Sequence, residues 1–184
     1  MIAHSNRVSP AFLDKVKLIS TKLGINPSFL MMAMFKETGG TFSPSIKNPT
    51  SSATGLIQFM EATAKRLGTT TAKLRAMSAL DQLDFVYKYF LPFKGRLKSF
   101  PDVYLAIFYP AGIGKSDSWR FPNWVYKANR GIDLNKDGIL TIGDFKKWAL
   151  KGQPKVKNDL STTNMIVPLI LFGFLGLTYY FYKS

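Results

Sequence analysis

Apolar residues recur at helical spacing over most of the first hundred positions. Ser9-Pro10 forms a helix start, and Phe12, Leu13, Val16, Ile19 and Leu23 fall on one stripe that Gly24 ends. Asn26-Pro27 restarts a helix that continues through the apolar run Phe29 to Phe35 and reaches Glu37. That run is apolar nearly all round, the pattern of a helix at the centre of a small helical domain. The two helices are expected to lie antiparallel, with Glu37 on their buried side. Thr41 to Thr54 is rich in Ser, Thr, Pro and Asn and reads as a loop. A helix-like segment, Glu61 to Leu67, is closed by Gly68. Ser78 to Asp81 gives a capping-box-like start to a helix that runs through Phe90 and is stopped by Pro92. Another helix begins at Pro101 and carries Val103, Tyr104, Ile107 and Phe108. No stretch sustains the alternation of a strand, so the expected fold is mainly α, with at most a short hairpin.

The later part of the chain changes character twice. Asp133, Asn135 and Asp137 followed by Gly138 and Asp144 have the spacing of a calcium loop. In such a loop the first, third and fifth positions supply oxygens, the glycine makes the sharp turn and the twelfth position closes the shell. Ile139 would add its backbone carbonyl. Asp144 stands where a glutamate is usual, as in dockerin-like loops, and its arm is shorter. A metal-free Asp/Asn/Gly turn is the competing reading; a bound calcium would be structural, and catalysis would not require it.

Beyond this loop, lysines at 146, 147, 151, 155 and 157 accompany Gly152 and Pro154, and 151–163 reads as a basic linker. It leads into about seventeen uncharged residues, Met165 to Phe181, at the lower limit for a membrane span. Tyr179, Tyr180 and Tyr182 with Lys183 suit an interfacial belt. The expected organisation is one domain over 1–150 with the loop at 133–144, the linker, and a single transmembrane helix over 164–182. A buried C-terminal helix is the alternative for that last segment.

Composition narrows the chemistry. The chain has no cysteine, which removes disulfides, thiolate metal sites and cysteine nucleophiles. Its one histidine, His4, lies in an N-terminal segment expected to fray, which leaves no basis for a histidine-dependent triad or a multi-histidine zinc site. The formal charge of +14 predicts attraction to polyanions such as nucleic acid, anionic lipid or acidic wall polymers. The basic residues are scattered, so no specific nucleic-acid reading follows. Met1 to Pro10 is polar, and no apolar signal-peptide core follows it.

Glutamate is scarce: the chain has only Glu37 and Glu61. A carboxyl placed directly after an apolar run sits at the edge of a core, where burial favours the neutral acid, as a general acid near neutral pH requires. The plain alternative is an ordinary last-turn residue with Gly39-Gly40 as the stop signal.

Three segments, in order, decide for the acid. Glu37-Thr38-Gly39-Gly40, then Gly55-Leu56-Ile57-Gln58 with Thr63-Ala64 and Leu67-Gly68, then Tyr109-Pro110-Ala111-Gly112 together resemble the lysozyme-like lytic transglycosylases, a family related to goose-type lysozyme. The resemblance spans roughly Pro10 to Lys127. Pro110 departs from it, replacing an asparagine. The resemblance implies a lysozyme-like domain in which Glu37 protonates the glycosidic oxygen between MurNAc and GlcNAc of peptidoglycan. The same group then acts as base on the sugar's C6 hydroxyl, giving a 1,6-anhydro product. Such chemistry needs one carboxyl group where ordinary glycoside hydrolysis uses two. Asp81 and Asp84 stay open as a second carboxylate.

In this scheme Gln58 contacts substrate and Gly55 lets the backbone come close, while Tyr109 hydrogen-bonds Glu37; Tyr87 and Tyr89 are candidates to line the cleft. Implied partners are glycan strands, a lipid bilayer through 164–182, and capsid or membrane proteins of a virus particle. Lysines before the span and few after it keep the domain cytoplasmic by the positive-inside rule, away from peptidoglycan. A phage particle with an internal membrane, which carries the enzyme to the wall at the next infection, resolves this conflict. Other functions compatible with the sequence are a hydrolysing lysozyme of the same fold, an inactive wall- or lipid-binding structural protein, and a charge-driven packaging protein.

Overall fold

The computed structural model describes residues 1–156, so the 164–182 segment and most of the linker lie outside the described residues. Among these residues eight α-helices run in chain order: α1 Pro10–Leu23, α2 Pro27–Glu37, α3 Glu61–Arg66, α4 Thr71–Ala76, α5 Ala79–Phe90, α6 Phe100–Phe108, α7 Asn123–Ala128 and α8 Ile142–Leu150. Among the described residues the only extended pairing is three isolated bridges, Lys47 with Thr54, Thr54 with Phe59 and Arg120 with Thr141. The mainly α expectation therefore holds. No helix among the described residues is long and apolar enough to cross a membrane.

Local chemistry sets the helix starts. The Ser9 hydroxyl accepts the Phe12 N–H at 3.2 Å with Pro10 in the first turn, and the Asn26 amide oxygen accepts the Ser28 N–H at 2.9 Å with Pro27 beside it. Ser78 and Ser99 cap α5 and α6 in the same way. Helix α2 is buried on every side from Ser28 to Met34, as its uninterrupted apolar run requires. It packs on α1 and α6, α1 also packs on α5, and α8 closes over α6. The turn between α1 and α2 bends the chain through 118°, so the pair crosses obliquely instead of lying antiparallel. Fully buried side chains of Leu23, Leu30, Met31, Met32, Met34, Leu56, Leu83, Phe90, Leu105 and Phe145 join all these elements in one core.

The N-terminus is tied down, contrary to expectation. The Ala3 N–H donates to the Ser28 hydroxyl, and the His4 ring stacks on Phe35 at 3.8 Å and hydrogen-bonds the Gln153 side chain. His4 thus joins the start of the domain to its end.

Candidate active site

Glu37 is the last residue of α2. The helix ends there because Thr38 turns its hydroxyl back onto the Met34 carbonyl at 2.7 Å and uses the same oxygen to accept the Phe42 N–H at 3.0 Å. Gly40 follows at φ 82°, where an added Cβ would sit 2.8 Å from the Phe35 ring. The carboxyl is half-buried between α2 and α6. Burial pushes it up to about 7, against a hydrogen bond from Tyr104 and the charge of Lys36, both of which favour the carboxylate. Near neutrality the group therefore populates both the acid and the base form.

The hydroxyl on Glu37 belongs to Tyr104, inside α6, and not to Tyr109, to which the sequence motif points. Burial and the neighbouring Glu37 charge hold the Tyr104 phenol well above its ordinary range, so it is a donor at any working pH. Tyr89 of α5 comes near the same carboxyl: burial pushes its phenol up to about 12, with Glu37 adding in the same direction against Arg66. Its hydroxyl donates to the Ala106 carbonyl at 2.7 Å.

Tyr89 also leads to the second motif. A small pocket of about 70 Å³ is lined by Gln58, Met60, Thr63, Tyr89 and Ile107, with Ile57 and Phe59. Gln58 is held at φ 52°, unusual for a residue with a side chain, and its amide nitrogen donates to the Gly55 carbonyl at 3.2 Å. Leu56 and Ile57 are core. The tight 54–59 turn is closed by Thr54 and Phe59 exchanging backbone hydrogen bonds at 3.1 and 2.7 Å. Gly55, at φ 75°, is required by the fully buried Gln82: a Cβ would lie 2.3 Å from its Oε1. That oxygen accepts the Leu56 N–H at 2.6 Å, while the Gln82 Nε2 donates to the carbonyls of Leu74 and Pro44. Gln82 is thus the clamp that hangs the loop on α5, and three polar bonds into a buried position are a role that the helical stripe alone did not signal.

Tyr87 takes a different place. It lies under Lys22 of α1, whose ammonium is 5.7 Å from its ring, and Tyr89 is the aromatic that reaches the Gln58 pocket. Tyr109 ends α6 and joins an aromatic group with Trp119, Phe121 and Trp124, at 6.1, 5.4 and 6.2 Å between ring centres. Pro110 begins a single 3-10 turn, Pro110–Gly112, a position where a missing N–H is tolerated.

The other acids considered have partners elsewhere. Glu61 accepts the Thr71 hydroxyl and N–H at 2.6 and 3.0 Å, which holds its carboxyl below the ordinary range and fastens α3 to α4. Asp81 accepts the Ser78 hydroxyl at the start of α5, and Asp84 pairs with Lys15 of α1 at 2.9 Å.

In the calcium-like loop the Asp133 carboxylate accepts the N–H groups of Lys136 and Gly138 at 2.8 and 3.0 Å. Asp137 accepts the Ile139 N–H at 2.9 Å and the Asn135 amide at 2.9 Å. Asp144 forms a capping box with Thr141 at the start of α8. All these ligand atoms are oxygens, the hard donors calcium prefers. Among the described residues, however, no three acidic or histidine side chains converge as a metal-holding group, and Asp144 faces its own helix cap.

No protein-family model matches the chain, and no curated protein matches it.

Proposed function

We propose that this chain is a peptidoglycan lytic transglycosylase with a lysozyme-like domain in which Glu37 is the single acid and base. One observation carries the reading: an isolated carboxyl at the end of a buried helix, raised to about 7 by burial and held by the Tyr104 hydroxyl. The neutral acid protonates the glycosidic oxygen as the C1–O bond breaks. The resulting carboxylate then takes the proton of the C6 hydroxyl as that oxygen bonds to C1, which closes the 1,6-anhydro ring and returns Glu37 to its starting state. Water is not consumed. The separate partners of Glu61, Asp81 and Asp84 favour this single-carboxyl route over two-carboxyl hydrolysis. Gln58 and Gly55 would offer the polar contacts to the sugar, with Tyr89 and Tyr109 as flanking rings.

The membrane part rests on sequence: the apolar 164–182 segment would anchor the domain in a virion's internal membrane, for delivery to the host periplasmic wall. Calcium, held by Asp133, Asn135, Asp137, the Ile139 carbonyl and Asp144, would be structural. Its binding would require Asp144 to turn from its cap toward the loop.

Digestion of purified peptidoglycan by the wild type and Glu37→Gln, with products read by mass spectrometry, tests the function. The expected result is 1,6-anhydro-ended fragments from the wild type alone. Equal release by both proteins would refute the role of Glu37, and reducing ends without anhydro products would convert the reading to a hydrolase.

A further inference from the structure

Lys36 precedes the acid in sequence, yet its side chain is directed to another helix. Its ammonium lies 4.3 Å from the centre of the Trp148 ring and 5.6 Å from that of Tyr104. The two rings stack on one another at 5.6 Å, and Phe145 packs on both at 5.8 Å. Trp148 and Phe145 are carried by α8, whose start is fixed by the Thr141–Asp144 capping box. We infer that Lys36 is a positioning residue for the acid: the Trp148 indole seats its ammonium and fixes one positive charge beside Glu37. This inference rests on Glu37 as the reacting group.

The physical case is a matter of entropy and distance. A free lysine side chain samples many rotamers in water, and its effect on a neighbouring carboxyl is screened. An ammonium seated on an indole face gives up that freedom for an attraction to the ring that strengthens as water is excluded. The seat is partly desolvated: burial lowers the Lys36 ammonium, while Glu37 acts to restore it. The groups facing Glu37 are then accounted for by element: Lys36 from its own helix, Tyr104 from α6 and Tyr89 from α5. Lys36 is the one full charge among them. Burial alone would drive the acid higher, leaving it a poorer proton donor for the first half of the reaction. The seated cation opposes that drift.

The two glutamates make a direct test possible, because ¹³C-glutamate labelling of the full-length protein gives two side-chain carboxyl resonances, and Glu37→Gln assigns them. Titration of the Glu37 signal is independent of any enzymatic activity. Lys36→Met is expected to raise the Glu37 midpoint by about half a unit to one unit, and Lys36→Arg, which keeps a cation able to stack, to leave it near the wild type. Trp148→Leu is expected to change the midpoint by different amounts in the wild-type and Lys36→Met backgrounds, the difference between the two being a rise due to the released cation. An unmoved midpoint in Lys36→Met, or the same Trp148→Leu effect in both backgrounds, would overturn the inference. Should Trp148→Leu fail to fold, Lys36→Met and Lys36→Arg decide it alone. If Glu37 titrates as expected but wall digestion fails, the proposed function falls and the electrostatic inference stands.

Discussion

The Tyr104 hydroxyl donates its hydrogen bond to the Glu37 carboxyl across the contact between α6 and α2. Both residues project from regular helices, so the geometry of the pair is set by helix packing and not by loop conformation. A donor fixed on the carboxyl favours its ionised form and opposes the larger effect of burial. The acid is therefore balanced between two environments.

Removing the donor should tilt that balance. Wall digestion by the wild type should be fastest below about 7 and decline as Glu37 deprotonates through that value. In Tyr104→Phe the declining limb should move to higher pH, with a fall in maximal rate of about tenfold, because the carboxyl loses its orienting partner. A pH–rate profile of both proteins is the measurement. A limb that moves down would reverse the assigned role of the hydroxyl.

The same carboxyl should make stability pH-dependent. Its folded value, about 7, lies above its ordinary value of 4.5, so the folded protein holds the proton more tightly across that interval. The contribution is fully present below the unfolded value and is lost as pH rises through about 7. Glu37→Gln, which keeps the shape and can still accept from Tyr104, should therefore stabilise the protein at pH of about 8 by on the order of 2–3 kcal/mol, and by little at pH of about 4. Urea denaturation at the two pH values checks this.

Gly55→Ala should be strongly destabilising. It combines a positive φ with a Cβ driven into the Gln82 amide, so the loop must shift or Gln82 must leave its three partners. A loss of about 2–4 kcal/mol is expected, since an orphaned buried donor or acceptor costs about 1–3 kcal/mol. Gln82→Leu should act in the same range. Thermal unfolding followed by circular dichroism measures both.

Calcium should raise the unfolding midpoint if the 133–144 loop binds it in the folded state alone. Millimolar calcium chloride against a chelator, in the wild type and Asp137→Ala, gives the comparison. An identical midpoint with and without the ion in the wild type would remove calcium from the proposal.

Much of the helical architecture was legible because its signals are local. Ser9-Pro10, Asn26-Pro27, Ser78 and Ser99-Pro101 start helices through side-chain caps and fixed backbone angles, and α2 is buried because its sequence leaves no polar face. Short α4 and α7 carry too few periodic positions to register, and α8 was obscured by lysines on its outer face. Glu37 stood out through its position after an apolar run. Its partners did not. Tyr104 lies on a stripe that reads as core, and a buried phenol and a ligand phenol have the same periodicity. Lys36 and Trp148 are far apart in sequence and meet only through the packing of α2, α6 and α8.

Gln82 carries one more implication. The loop that bears Gly55 and Gln58 is suspended from a primary amide, which neither gains nor loses a proton over the range where Glu37 titrates. Acidification can protonate Glu37 without loosening this attachment of the Gly55–Gln58 loop. For a protein proposed to travel between cytoplasm, particle and periplasm, this clamp stays indifferent to the medium while Glu37 responds to it.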